Sequence, residues 1–401
     1  MIVSSRFPAG PDVEVEALLA ELTGAERLAV GDERIRDFLT RFSRKLLRPE
    51  LARRHPELGS LGFFLRPAEV VRALKSLEAS GLRFPRGLIF HVPPANVDTI
   101  FVYSWALSAL AGNANVVRLS DRAGEAALAV LGALNEALAE ADPIVARTQR
   151  IIGYPRDDKI TARLSAACDL RVIWGGDVAV TDIRRHPLRP DARDLTFPDR
   201  SSFAAIKTAA WQAASEQERK AAVAAFAADA YWFDQAACSS PRTIFWVGEP
   251  GRAPAEFEAL LAANVAERGW GVDAAMAVEK RVSTYGMAAD GATTQVRFHG
   301  NAVAGFDLDR PDELPRTWLG AGTFAHSAVG SLSELVPVVN RKDQTMSVFG
   351  FPAEELRGFA MELGGRGVDR IVPFGSALSF AAVWDGYDLL TEFTRQTTIT
   401  V

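Results

Sequence analysis

Apolar positions along the chain fall into two rhythms. Residues 13–22, 35–47 and 68–77 place them three and four apart, which predicts amphipathic helices and a mostly helical first 80 residues. From Gly87 the rhythm changes. Short apolar runs at 87–92, 115–119, 149–152 and 170–174 predict strands, and Ala- and Leu-rich stretches at 100–110, 125–139 and 159–167 predict the helices between them. Strands separated by helices of this length need right-handed crossovers and a parallel sheet. Such sheets bind ligands beyond the carboxyl ends of their strands. The turns at 93–96, at Ser120-Asp121 and at 175–177 are therefore expected to share one face.

A composition shift after Arg189-Pro190-Asp191 predicts a hinge. Beyond it, strands are expected at 202–206, 243–247, 294–298, 334–339 and 345–349. Helices are expected at 216–230, 254–266, 275–283 and 353–363. Glycines 364, 365 and 367 follow the last helix, so they read as a C-cap and turn, not a phosphate loop. Residues 397–401 are β-formers, expected to pair along a neighbouring edge, another subunit's included. The sum is an α/β chain, divided at 1–200, 201–372 and 373–401.

Composition narrows the class. At 401 residues and 48% hydrophobic content, the chain has material for two buried cores. A net charge of −5 and the lack of any Lys/Arg-rich run argue against a nucleic-acid partner. Two cysteines, Cys168 and Cys238, are too few for a disulfide framework and suit a reducing cytoplasm. The first residues lack the apolar core of a secretion signal. Residues 99–117 are uncharged and near bilayer length, but Gly112, Asn113 and Asn115 divide them into a buried helix, a turn and a strand. No membrane span is expected.

Cys238 is the candidate nucleophile. It sits between a predicted helix and a predicted strand, followed by Ser239, Ser240 and Pro241, and the proline forbids further helix. Such a turn leaves sulfur facing a cleft, as a reactive thiolate requires. A small buried hydrophobe is the plain alternative. Asn96, at the end of a predicted buried strand, can aim an amide donor into the cleft and form an oxyanion hole with the Cys238 N–H. A simple turn former is the other reading. No histidine or cysteine has a partner at metal-ligand spacing, and His91 reads as a core residue.

Three blocks carry a resemblance: 86–97, Asp234-Gln-Ala-Ala-Cys-Ser-Ser-Pro241, and 369–390 with its Val383-Trp-Asp-Gly-Tyr-Asp-Leu-Leu. With Ala111-Gly112-Asn113 and Trp174-Gly175-Gly176, they resemble the aldehyde dehydrogenase superfamily, and within it the LuxC-type acyl-CoA reductases. The resemblance implies a Rossmann-like cofactor domain without the Gly-x-Gly-x-x-Gly fingerprint, a second α/β domain carrying the cysteine, and an oligomerising tail, hence a homo-oligomer. It also implies reduction of an acyl thioester to an aldehyde through an acyl group on Cys238. NADPH is the implied cofactor, with NADH the alternative, held by Arg118, Ser120, Asp121, Gly175, Gly176 and Glu334. Asp121 would suit a free ribose 2′-hydroxyl, so NADPH would need Arg118 or Arg122 to compensate. Thr196 stands near the water-activating glutamate of aldehyde-oxidising relatives, which favours reduction. The acyl donor is coenzyme A, an acyl-carrier protein or an acyl-protein synthetase partner. The alternatives are an acylating aldehyde dehydrogenase working oxidatively, and a cysteine acyltransferase or acyl-carrier docking protein without hydride transfer.

Overall fold

The computed structural model describes residues 1–78, 81–94, 100–120 and 123–400. Its contacts divide the chain into two units, Met1–Pro198 with Phe380–Val401, and Asp199–Ser379. In chain order the strands are β1 (Ile2–Phe7), β2 (Val13–Glu14), β3 (Leu82–Pro85), β4 (Leu88–Val92), β5 (Ala114–Leu119), β6 (Gln149–Gly153), β7 (Leu170–Trp174) and β8 (Arg193–Phe197). They continue as β9 (Ser201–Lys207), β10 (Pro241–Val247), β11 (Thr293–His299), β12 (Val303–Leu308), β13 (Thr323–Val329), β14 (Asp343–Phe349) and β15 (Arg370–Pro373). The last three are β16 (Val383–Trp384), β17 (Tyr387–Asp388) and β18 (Thr394–Thr397).

The first unit carries a sheet in the order β2-β1-β6-β5-β4-β7-β8. From β6 to β8 every pair is parallel. The chain starts at β4, steps out to β6, then returns to β7 on the other side, which makes the β4/β7 boundary the topological switch point. β4 and β7 are buried at every position, as strands covered on both faces must be. The helix Ile100–Leu110 is buried along its whole length. No helix among the described residues is long and apolar enough to cross a membrane.

Ala111-Gly112-Asn113 forms a corner with structural duties. Gly112 has φ +83°, and a Cβ there would meet the Ala29 carbonyl oxygen at 2.6 Å. The Asn113 carboxamide accepts the Gly87 N–H (3.0 Å) and donates to Ser108 O (3.1 Å) and Phe393 O (2.9 Å). It thus joins the entry to β4, the end of a helix and the returning chain. Arg86 holds that same segment through Glu392 O and Thr394 O, both at 2.8 Å. Leu389, Leu390 and Phe393 fill the core beneath. The hairpin β16–β17 turns at Asp385 and Gly386, both at positive φ, as a two-residue turn with matching twist requires. β18 pairs antiparallel with β3; of the tail strand expected at 397–401 only Thr397 belongs to it, residues 398–400 lie in no strand, and Val401 is outside the described residues.

The second unit carries the order β11-β12-β13-β10-β9-β14-β15, parallel except for the β11 edge. The helix Glu216–Tyr231 starts at a reciprocal capping box of Ser215 and Glu218. Gly364 caps the helix Ala353–Leu363 at φ 55°, as its place in the sequence predicts. One expected strand is absent: 334–339 continues from the 3₁₀ turn Leu332–Leu335. Pro337 has no N–H to offer a ladder, and Leu332, Leu335 and Val339 bury themselves as a turn.

Candidate functional site

The turn that carries Cys238, the candidate nucleophile, lies at the N-terminal ends of the second unit's strands. Phe233, Asp234 and Gln235 occupy left-handed backbone at φ 62°, 51° and 59°. Three successive non-glycine residues there store strain of roughly 1–2 kcal/mol each. The surroundings hold them in place. Trp318 Nε1 donates to Asp234 O (2.9 Å). The buried Gln235 amide donates to Pro241 O (2.8 Å) and Thr323 O (3.0 Å), and its oxygen accepts the Thr323 N–H (3.1 Å). One side chain therefore ties the turn to the starts of β10 and β13.

Cys238 follows in a β-turn closed by Ser240 N–H to Ala237 O at 3.0 Å. It is half-buried. Ser202 Oγ donates to the Cys238 carbonyl (2.7 Å) and accepts the Thr345 N–H (3.1 Å), which fixes the peptide that carries the sulfur. Ser240 Oγ donates to Asp229 O (2.7 Å). The Asp229 carboxylate accepts the Gly375 and Ala377 N–H groups at 2.7 and 2.9 Å, and burial raises its pKa to about 6. Cys168, by contrast, is fully buried, and that burial pushes its thiol up to about 12, so it is inert packing.

Glu334 belongs elsewhere. β10 and β13 run parallel in register from Thr243↔Ala325 to Val247↔Val329. Cys238 precedes the first end of this pair and Glu334 follows the other, separated by about 20 Å of strand. Its carboxylate accepts the Gly330 N–H at 3.0 Å, closing its own turn. The structure does not bring Glu334 to Cys238.

In the first unit, the carboxyl ends of β4, β5, β6 and β7 surround a cavity of about 380 Å³, whose lining includes Pro93, Arg118, Ser120, Arg156, Gly175 and Gly176. Four of the sequence-selected residues, Arg118, Ser120, Gly175 and Gly176, thus meet in one pocket. Arg118 stacks over Tyr154 at 4.8 Å, and its Nε is buried without a hydrogen-bond partner among the described residues. Open space lies above Gly176, at the N-terminus of the helix Asp177–Arg184, a favourable place for an anion. An uncommitted cation, a glycine approach and a helix N-terminus suit a dinucleotide's phosphates. Arg156 was not apparent from sequence; it follows β6 in an irregular turn and pairs with Asp182 (2.6 Å). Thr196 lies on β8, opposite Ile173. His91 is core: Nδ1 meets Ser104 (2.8 Å), Nε2 meets Asn115 (2.9 Å), and burial pushes it down to about 4. Asn96, Asp121 and Arg122 lie outside the described residues. No cluster of metal-ligating side chains occurs among the described residues.

The acyl-CoA reductase (LuxC) family model matches residues 32–280. The chain belongs to that family. It is 24% identical over 303 residues to a long-chain acyl-protein thioester reductase of Aliivibrio fischeri, covering 73% of this chain and 59% of the relative. The namesake of Photorhabdus laumondii is 24% identical over 311 residues, with the same coverage. The chain therefore spans under two thirds of the length of these relatives. Among solved structures, aldehyde dehydrogenase C of Pseudomonas syringae, in complex with NAD+ and octanal, aligns over 98% of this chain and 88% of its own at TM-score 0.65 and 15% identity. A Burkholderia cenocepacia putative aldehyde dehydrogenase aligns over 98% and 94% at TM-score 0.66 and 14% identity. The fold of this LuxC family member is that of the aldehyde dehydrogenases.

Proposed function

We propose that this protein reduces an acyl thioester to an aldehyde through an acyl group carried on Cys238. The observation that carries the reading is the nucleophile turn: a half-buried cysteine on a strained, fully braced turn, in a chain of the acyl-CoA reductase family. The Cys238 thiolate attacks the thioester carbonyl, forming a new C–S bond as the donor thiolate departs and takes a proton from solvent. A nicotinamide cofactor, when bound, would supply the hydride for the acyl carbon. The Cys238–carbon bond then breaks, aldehyde leaves, and the sulfur is restored. Asn96 and the Cys238 N–H are the proposed oxyanion donors in both stages. Thr196 stands near the position of the glutamate that activates water in aldehyde-oxidising relatives, which favours reduction of the acyl-enzyme over its hydrolysis.

The cofactor is proposed to bind in the first unit's pocket, with the helix N-terminus at Asp177 and Gly176 receiving phosphates and Arg118 and Ser120 receiving the adenosine ribose. Arg118 favours NADPH over NADH. Glu334 is left out of this assignment because of its distance from Cys238. The relatives' names make a carrier protein the proposed acyl donor, with coenzyme A as the alternative. A second copy of the chain is proposed to cover the β3–β18 ribbon, where Leu82 and Phe84 are about half exposed.

The test is a panel of acyl-CoA and carrier-bound acyl thioesters with NADPH and with NADH, for wild type and Cys238→Ala. Aldehyde formed by wild type and abolished in the variant supports the reading. Acyl transfer to Cys238 and then to an added thiol, without cofactor oxidation, would replace it with an acyltransferase.

A further inference from the structure

The N-terminal ends of the second unit's strands gather three arginines around the nucleophile turn, and two of them are matched. Arg200 is paired with Asp369 at 2.6 Å, and Arg316 is bidentate to the buried Asp343 at 3.0 and 2.8 Å. Arg242 differs. It is the second residue of β10, only 5% exposed, and donates from Nη1 to Arg316 O at 2.8 Å. Its Nε is buried with no hydrogen-bond partner among the described residues. No carboxylate forms an ion pair with it at contact distance among those residues. A guanidinium held this far from water without such a pair is costly, and it remains charged at any ordinary pH.

We propose that Arg242 is a positioning residue that acts through Cys238, its fixed positive charge holding the sulfur as thiolate before the acyl donor arrives. Two groups interact electrostatically with it, the Cys238 sulfur and Asp199. The anion that compensates this buried charge is then the catalytic thiolate itself. Asp199 competes for the same cation. The other charges on this face, Arg200, Arg316, Asp343 and Asp369, cancel in pairs, and the exposed Asp234 lies on the turn itself. A positive charge beside an ionisable acid lowers its pKa by about 1–3 units. The assignment rests on the reading of Cys238 as nucleophile.

The initial rate of iodoacetamide alkylation of the full chain, measured from about pH 5 to about pH 10, reads the thiolate directly, with Cys238→Ser as the blank. Arg242→Met is expected to raise the midpoint by about one pH unit or more and to slow alkylation at neutral pH about tenfold. Arg242→Lys is expected to restore most of the loss. Asp199→Asn is expected to move the midpoint the opposite way, downward, which lost packing alone does not produce. A midpoint in folded Arg242→Met equal to wild type overturns the assignment. If that variant does not fold, an unmoved midpoint in Asp199→Asn does so instead. A wild type inert towards every thioester but with a low alkylation midpoint would remove the proposed activity and leave the role of Arg242 standing.

Discussion

Replacing Gln235 with leucine, which is close in volume, isolates what braces the nucleophile turn. The change deletes three hydrogen bonds at a side chain only 1% exposed. The Thr323 N–H keeps a second acceptor in Gly320 O at 3.2 Å. The carbonyls of Pro241 and Thr323 lose a donor that leucine cannot replace. Each buried group left unsatisfied costs about 1–3 kcal/mol, so the loss for the two carbonyls is about 2–6 kcal/mol. For a unit the size of Asp199–Ser379, that lowers its melting transition by roughly 4–24 °C. The strain at Phe233 and Asp234 is then opposed by fewer bonds, the one from Trp318 to Asp234 O remaining, and the turn relaxes. Scanning fluorimetry reads the first effect, and iodoacetamide labelling of Cys238 reads the second as a change in rate. An unchanged melting temperature together with wild-type labelling would refute the idea that this amide holds the turn. Gln235→Glu should be worse than leucine, because a carboxylate facing two carbonyls adds repulsion to the lost donors.

Further outcomes are expected elsewhere. Burial alone would push the Glu258 carboxyl up, but His326 and Arg297 beside it override that and hold it at about 2, below its ordinary 4.5. Its contribution of about 3 kcal/mol is present above the unfolded pKa and is lost as pH falls towards 2. Glu258→Gln, which leaves Arg297 facing Asp307 and His326 and His299 without their anion, should lower stability at neutral pH and flatten the acid limb of a melting-temperature profile. Gly112→Ala should abolish soluble expression or cost several kcal/mol, since the Cβ meets backbone and the φ is left-handed; a wild-type melting temperature would contradict the corner's geometry. Arg118→Ala should weaken NADPH binding about tenfold more than NADH binding in equilibrium titration, and equal losses would place the 2′-phosphate elsewhere.

The sequence was most legible where periodicity and burial agree. The helix at 100–110, the strand at 170–174 and the helix at 353–363 match to the residue, because each is bounded by clear stops. β12 and β13 were not apparent: Gly305 interrupts one, and the other reads Thr-Phe-Ala-His-Ser-Ala-Val, whose polar positions are buried by neighbouring strands. The misread 334–339 shows that a short apolar run cannot by itself distinguish a strand from a buried turn. The turn at Cys238 was visible because its signals are local. Arg242 was not, because its meaning depends on Arg200, Arg316, Asp343 and Asp369 arriving from four other segments. The rule that ligands gather at carboxyl ends of strands located the first unit's pocket, but in the second unit the cysteine stands at the amino ends.

The first unit is built from both ends of the described chain, and that has a consequence for synthesis. Leu389, Leu390 and Phe393 belong to its core, and Arg86 and Asn113 wait for carbonyls of residues 392–394. The continuous span Asp199–Ser379 is the first of the two units to be fully translated, while the first unit still lacks residues 380–401. The unit bearing the sulfur can therefore close while the other is still open, its Arg86 and Asn113, just before β4 and β5, still without the carbonyls they bind. A chaperone that protects the nascent chain would be needed for the earliest-made segment longer than for the later one.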